Sequence, residues 1–126
     1  LKLMEIAYVP SIAFPAGESK HGPISLIEPG FPVVFVCPPD ETRKVLMGNI
    51  MEMKARGASI IAVCEEGDEE IMELVDDWVA VTKGIPEVLS PIPYVVPLQL
   101  FAYYMAVERG YDPDKPRNLA KSVTVK

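Results

Sequence analysis

The chain has 126 residues, 49% of them hydrophobic, and a formal net charge of −6 at neutral pH. This length fits one domain with a single core, and the hydrophobic content excludes a disordered chain. The negative charge argues against a nucleic-acid partner, because phosphate contacts need a basic surface. No apolar run is long and uninterrupted enough for us to expect a membrane span. Two cysteines are too few for a disulfide framework and suit the reducing cytoplasm.

The first third of the sequence predicts short elements. Residues 1–8 are typical of the last turns of a helix, and residues 10–18 predict a short strand that ends at a glycine. The segment 18–27 predicts a turn that leads into a short helix. The run 32–39 is continuously apolar, as in a strand that is buried on both faces of a sheet.

Helix and strand then alternate. Residues 40–57 predict a helix with Asp40 as its N-cap and Gly57 as its stop. A second buried strand follows at 59–66, and the acidic segment 65–77 predicts a short helix. Eight acids crowd this last segment, and we expect a solvated face rather than a metal site, because no histidine accompanies them.

The end of the chain predicts one more strand, a long helix and a tail. The strand is expected at 77–83 and the closing helix at 86–110, which Pro97 should kink. Strands and helices that alternate over short connections predict an α/β fold with a parallel sheet. We therefore expect one folded portion over 1–110 and an extended tail over 111–126.

Both cysteines close β-branched runs, at the edge where parallel sheets place their ligands. We interpret Cys37 and Cys64 as small buried hydrophobes rather than nucleophiles, because no histidine follows them in sequence to activate a thiol. A disulfide between Cys37 and Cys64 is geometrically possible, because neighbouring strands lie about 4.8 Å apart, but we favour free thiols.

Four side chains could do chemistry, and each also has an ordinary structural explanation. His21, the only histidine, lies in a tight turn, where a lone histidine is by default a hydrogen-bonded structural residue. Lys2 and Glu5 are three residues apart on one helix face, which usually means an exposed salt bridge of roughly a few tenths of a kcal/mol. Lys121 lies in an uncharged segment. Desolvation over a pocket would lower the pKa of that amine and make it nucleophilic toward a carbonyl.

Taken together, four segments resemble the glucosamine-6-phosphate synthase family in its sugar isomerase (SIS) domain. They are "KLME" (2–5), "GESKHGP" (17–23), "PIPYVVPLQLFAYY" (91–104) and "PRNLAKSVTV" (116–125). The resemblance runs over essentially the whole chain. It departs from the family at Ser19, where leucine is more usual, and at Lys126, where glutamate is usual.

The resemblance implies a three-layer, flavodoxin-like SIS fold, of which this chain would be an incomplete C-terminal portion. The implied activity converts fructose 6-phosphate and glutamine-derived ammonia to glucosamine 6-phosphate, without a metal or cofactor. The implied partners are the remainder of the SIS domain, a glutaminase domain and a second subunit in a cytoplasmic homodimer. The Ser/Thr-rich loop that holds the sugar phosphate in the family has no counterpart in this sequence.

The family's roles transfer to individual positions. By resemblance, Lys121 condenses with the C2 carbonyl of open-chain fructose 6-phosphate, and Glu5 moves a proton between C1 and C2. Lys2 assists at the C1 hydroxyl, and His21, delivered from the neighbouring subunit, promotes ring opening. The residues expected to close over the sugar are Arg117, Leu119 and Ala120.

Two other functional classes stay open. One is a non-catalytic module that binds a sugar phosphate in a regulator, although such modules lack the "PRNLAKSVTV" segment. The other is a sugar-phosphate deaminase or isomerase of the same superfamily. It differs from the synthase in its source of ammonia, which the residues of this chain do not reveal.

Overall fold

The computed structural model describes residues 1–119, which divide into a unit over 14–97 and a unit over 1–13 and 98–119. The α-helices are α1 (Lys2–Ile6), α2 (Arg43–Lys54), α3 (Glu69–Leu74) and α4 (Pro91–Glu108), and the strands are β1 (Pro32–Cys37), β2 (Ser59–Glu65) and β3 (Asp77–Val81). Short 3₁₀ helices cover Ala16–His21, Pro23–Leu26 and Glu87–Leu89.

The sheet belongs to the unit over 14–97 and has three parallel strands in the order β1-β2-β3. β1 and β2 are in register from Pro32 opposite Ser59 to Cys37 opposite Cys64. β3 pairs with β2 over its whole length, and these two strands are also parallel. The β-branched runs form these strands because such side chains pack well on a pleated surface. The predicted α/β fold, a parallel sheet flanked by helices, is confirmed.

The core of this unit lies where α2 and α3 pack against one face of the sheet. Phe35 and Ile60 come from the strands, Ile50 and Met53 from α2, and Ile71 from α3. Each of these side chains is at most 5% exposed. Burying an apolar side chain of this size contributes about 1.5–3 kcal/mol, so this contact supplies much of the stability of the unit.

The opposite face of the sheet keeps several valines partly exposed. Val34 and Val36 alternate with buried residues along β1 and therefore lie on this second face. Val79 of β3 lies on the same face, in the register row of Val36. These three side chains are between 36% and 46% exposed. Parallel sheets are normally covered on both faces, so this surface is unusually apolar for solvent contact.

Helix α2 begins at Arg43, later than predicted, and its last residue is Lys54, shortly before the predicted stop at Gly57. The carboxylate of Asp40 accepts the N–H of Thr42 at 2.8 Å, and this turn precedes a helix that begins at Arg43. Asp40 is therefore not the N-cap. The stop at Gly57 is confirmed by its φ of 88°, a conformation that L side chains rarely adopt. A Cβ at this position would also lie 3.0 Å from the Cα of Pro29.

The strand predicted over 10–18 is wrong. Residues 10–15 have no regular structure, and the 3₁₀ helix Ala16–His21 follows them. Pro10 and Pro15 bracket the segment and lack the N–H groups that a sheet ladder requires. His21 consequently ends a 3₁₀ helix instead of following the carboxyl end of a strand.

The long closing helix is confirmed as α4, which begins at Pro91 and ends just before Gly110, whose φ is 76°. By length and composition alone, the stretch Glu87–Glu108 is long and apolar enough to cross a membrane. The expectation that no stretch qualifies is therefore wrong on that criterion. One such helix is only a weak indication of a membrane span.

Candidate functional site

The short helix α1 carries two of the predicted residues and brings them together. The ammonium of Lys2 donates to the Glu5 carboxylate with an Nζ–Oε2 distance of 2.7 Å. Three residues separate them, which puts both on one face of the helix. The Glu5 side chain is only 23% exposed, whereas Lys2 is 61% exposed. The predicted pair is confirmed, with the carboxylate as the more enclosed partner.

Tyr8, just beyond α1, links this helix to the residues near the C-terminus. Its hydroxyl oxygen accepts the backbone N–H of Arg117 at 2.8 Å, and the guanidinium carbon of Arg117 lies 4.0 Å from the centroid of its ring. The ring of Tyr111 packs edge-on against Tyr8 at a centroid distance of 4.7 Å. The sequence analysis did not identify Tyr8, because its partner Arg117 lies 109 residues away and no local sequence pattern predicts the contact.

The first part of the tail, residues 111–119, contains turns. The carboxylate of Asp112 accepts the N–H of Asp114 at 2.9 Å, which closes one turn. Asn118 has a φ of 64°, a left-handed conformation in which asparagine is enriched among non-glycine residues. The prediction that this tail is extended is therefore wrong over 111–119. The turns direct Leu119 toward the helix α1 side of this unit, where it lines a cavity.

That cavity has a volume of about 240 Å³ and lies within the unit over 1–13 and 98–119. Its walls are formed by the α1 region and by the first part of the tail, and its lining residues are Met4, Glu5, Tyr8, Arg117, Asn118 and Leu119. It therefore unites three of the predicted residues, Glu5, Arg117 and Leu119. A carboxylate at the wall of such a cavity can accept a proton from a bound molecule, as general bases do.

Two predicted residues, Ala120 and Lys121, lie outside the described residues. Their roles stay predictions. Leu119 is the last described residue before them, and it lines the cavity.

His21 lies in the other unit, over 14–97. It is exposed, and among residues 1–119 no hydrogen bond of its ring is found. The structural explanation, an imidazole hydrogen-bonded within its own chain, finds no support in the described part of the chain. The catalytic role and its delivery from a neighbouring subunit stay predictions.

Ser19, where the sequence departs from the family pattern, is completely buried. Its hydroxyl has no hydrogen-bond partner in the part of the chain that the structure describes, and the same holds for the Nδ2 atom of the buried Asn49. Burying a hydroxyl without a partner costs free energy, so an apolar residue is the more favourable choice for this position. The leucine usual in the family has that apolar character.

A second cavity of about 320 Å³ lies at the carboxyl ends of β2 and β3, an edge where α/β sheets often bind ligands. Its lining includes Arg43 and Lys83 together with the acids Glu65, Glu66, Asp68, Glu69 and Glu70. Arg43 already donates to the carboxylates of Asp68 and Glu70. An anionic ligand would meet more acids than free cations here, so this cavity does not suit a phosphate.

The two cysteines are free and buried, which confirms their interpretation as small hydrophobes. They face each other in register across β1 and β2. Burial, with smaller contributions from Cys64 and Asp68, raises the pKa of the Cys37 thiol to about 12. Burial also raises the pKa of Cys64. Neither thiol is disposed to ionise and act as a nucleophile at neutral pH.

Comparisons with known proteins identify the family model and the relatives that this chain matches. The sequence profile of the SIS domain matches residues 1–109. The glutamine–fructose-6-phosphate aminotransferase (isomerizing) of Methanothermobacter thermautotrophicus is 47% identical over 99% of this chain and 21% of its own length. The Thermococcus kodakarensis protein of the same name is 53% identical over 99% of this chain and 20% of its own length.

A solved structure gives the same result for the fold. The C-terminal domain of glucosamine-fructose-6-phosphate aminotransferase from Francisella tularensis superimposes with a TM-score of 0.80 at 33% sequence identity. The match covers 90% of this chain and 32% of that chain. The chain thus spans about a fifth of the length of the curated relatives it matches.

Proposed function

The chain belongs to the SIS domain family, and from that premise we propose that the complete protein is a glutamine–fructose-6-phosphate aminotransferase of the isomerizing kind. This chain would serve its isomerase half. The names of the relatives support the proposal, since these relatives align with 99% of the chain at 47% and 53% identity. Because the chain spans only about a fifth of those relatives, the activity is assigned to the complete protein.

The observation that carries the proposal is the cavity that Glu5 lines together with residues of the first part of the tail. Glu5, Arg117 and Leu119 come from opposite ends of the sequence and line one space. Lys121 follows Leu119 by two residues, and two residues of chain span at most about 7 Å. The proposed nucleophile therefore follows, by only two positions in sequence, a residue that lines the cavity together with the proposed base.

In the proposed reaction the amine of Lys121 attacks the C2 carbonyl of open-chain fructose 6-phosphate, and water leaves as the imine forms. Ammonia then displaces the lysine and leaves an imine of fructose. Positive charge on an iminium at C2 makes the C1 proton more acidic. The Glu5 carboxylate removes this proton and returns one to C2. The C1 hydroxyl loses its proton, which the amino group at C2 takes up, and C1 becomes the aldehyde carbonyl of glucosamine 6-phosphate. Lys2, which donates a hydrogen bond to Glu5, would assist at the C1 hydroxyl.

The proposal assigns further parts to the complete protein. A loop in the remainder of the SIS domain would hold the sugar phosphate, and a glutaminase domain would supply ammonia. His21 would promote ring opening across a homodimer interface, for which its exposed position in the 3₁₀ turn is suitable. We place the protein in the cytoplasm, where its free buried thiols would remain reduced. The chemistry requires no metal and no organic cofactor.

Trapping the imine tests this function directly. The complete protein is incubated with fructose 6-phosphate and borohydride, which adds hydride to the imine carbon and leaves a stable secondary amine. Peptide mass analysis should find the sugar on Lys121. Lys121→Arg should abolish the label, whereas the matched control Lys115→Arg should retain it. A label confined to other lysines, in protein that still makes product, would refute the proposed nucleophile.

A further inference from the structure

We infer that Tyr8 is a positioning residue. It holds Arg117, in the first part of the C-terminal tail, at the cavity that Glu5 also lines. The structure shows Tyr8 bound to Arg117 in two independent ways. The consequence for catalysis rests on the proposed function above, but the anchoring itself does not. The residues concerned all belong to the unit over 1–13 and 98–119.

The first step concerns how Tyr8 holds the tail. The phenol oxygen accepts the main-chain N–H of Arg117 at 2.8 Å, so the contact fixes the backbone and not only a side chain. The Arg117 guanidinium lies over the face of the same ring, with its carbon 4.0 Å from the centroid. A cation in this position is attracted to the ring quadrupole. Together the two contacts restrain both the main chain and the side chain of one residue.

The second step concerns how Tyr8 is itself held. Its φ of 56° is rare for a bulky residue, and such a conformation persists only where the surroundings determine it. The Tyr111 ring packs against it edge-on at an interplanar angle of 80°. Behind Tyr111, the Arg109 guanidinium carbon lies 5.7 Å from that ring centroid. Tyr8 and Tyr111 therefore form a pair of contacting rings, with the Arg109 cation near the ring of Tyr111 and the Arg117 cation over the ring of Tyr8.

The third step concerns what the anchor controls. Arg117 precedes Asn118, whose left-handed backbone turns the chain, and Leu119, which lines the cavity with Glu5. Any movement of Arg117 displaces the point from which the chain continues to Lys121. Since a misplacement of about 1 Å can cost as much as 100-fold in rate, losing this restraint should slow the steps that use Lys121. Tyr8 itself lines the cavity, and in this inference it acts by holding Arg117 in position.

The experiment compares Tyr8→Phe with the matched control Tyr104→Phe in the complete protein. Tyr104 lies in the same unit, is exposed, and also packs edge-on against another tyrosine, Tyr103. The first readout is hydrogen exchange of the Arg117 amide, which requires no substrate. Loss of one hydrogen bond should speed this exchange by about two- to tenfold in Tyr8→Phe and leave it unchanged in Tyr104→Phe.

The second readout is the rate of borohydride trapping at Lys121, together with the KM for fructose 6-phosphate. Tyr8→Phe should slow trapping by about tenfold while KM stays within about twofold, because the phosphate-binding part is intact. Arg117→Met, which keeps the N–H but removes the cation, should slow trapping and change amide exchange less than Tyr8→Phe does.

Each outcome decides the inference. Unchanged Arg117 exchange in Tyr8→Phe would overturn the anchor whatever the activity. Faster exchange with unchanged trapping would overturn the positioning role while the proposed function stands. If the wild-type protein traps no sugar at Lys121, the proposed function fails and with it the catalytic consequence. The exchange measurement then still decides whether Tyr8 holds the chain.

Discussion

The guanidinium of Arg43 forms two parallel hydrogen bonds with the carboxylate of Asp68, and so joins the first turn of α2 to the N-cap of α3. The Nη2–Oδ1 distance is 2.6 Å. Burial alone would raise the pKa of the Asp68 carboxyl, but hydrogen bonds from Arg43 and from the Ile71 N–H outweigh burial and lower that pKa. The same hydrogen bond raises the pKa of the Arg43 guanidinium.

This pair predicts that the stability of the α2–α3 region depends on pH. A carboxyl whose pKa is lowered by folding stabilises the folded state above its unfolded pKa, which is about 3.9 for aspartate. That contribution is lost as the pH falls through the lowered folded value. We expect Asp68→Asn, which keeps a side-chain oxygen to cap α3, to destabilise the region at pH 7 by about 1–3 kcal/mol. The difference from wild type should shrink toward pH 3.

Native-state hydrogen exchange of the α2 and α3 amides measures this effect in the complete protein. Glu70→Gln is the matched control, since Glu70 binds the same arginine at 2.9 Å but its side chain is 72% exposed. Exposed ion pairs contribute about 0–1 kcal/mol, so this variant should change exchange little. A penalty for Asp68→Asn that is equal at pH 7 and pH 3 would show that the charge is not responsible.

Glu5→Gln should separate sugar binding from proton transfer. The amide has nearly the shape of the carboxylate but cannot accept a proton, so isomerisation should fall by about 10²–10⁴-fold. Binding of fructose 6-phosphate should be largely kept. Magnetic resonance in heavy water follows exchange of the C1 and C2 protons with solvent. The exposed Glu108→Gln is the control and should exchange like wild type. Normal exchange in Glu5→Gln would identify another group as the base.

Mixing two inactive variants tests whether His21 acts across a subunit interface. Chains with His21→Ala and chains with Lys121→Ala are combined under conditions that exchange subunits. If each site takes its histidine from the partner, one site in every mixed dimer has both native groups, and activity should return to about a quarter of wild type. Complete exchange without recovery would assign His21 to its own subunit's site. Each variant alone, subjected to the same exchange, provides the baseline.

Ser19→Ala should stabilise the region around the Ala16–His21 turn. The buried hydroxyl has no partner within residues 1–119, and its removal should gain up to about 1–2 kcal/mol. Ser25→Ala makes the same chemical change at an exposed site whose hydroxyl donates to the Gly22 carbonyl at 2.7 Å. It should cost about 0.5–1 kcal/mol. Thermal unfolding and amide exchange of the complete protein compare the two, and a destabilised Ser19→Ala would mean that the hydroxyl is satisfied.

The strands of the sheet were predictable because their apolar runs report burial directly. β1 and β2 coincide with such runs to within two residues. The alternation of strands and helices predicted the parallel topology. The failed strand at 10–18 has apolar residues of similar character, but two prolines deprive it of donors. Local composition therefore predicts a strand correctly where the residues are both apolar and able to donate backbone hydrogen bonds. It fails where apolar residues are combined with prolines that cannot donate.

The site was only partly predictable for a different reason. The Lys2–Glu5 pair follows from helical spacing, and the functional assignments came from family resemblance. The contact between Tyr8 and Arg117 depends on how distant segments meet, which no local pattern encodes. Asn118 was a readable signal for a left-handed turn, because asparagine tolerates this conformation, whereas the φ of 56° at Tyr8 has no counterpart in composition.

The separation in sequence between Tyr8 and Arg117 also sets an order of events during synthesis. Arg43 and Asp68 are 25 residues apart, so the sheet and its helices can pair while later residues are still being added. Tyr8 must wait for a partner 109 residues further on. Contacts between distant residues close slowly, because more chain entropy is lost before they form. On a ribosome, the scaffold can therefore mature early, and the cavity beside Glu5 is completed only after residue 117 has emerged.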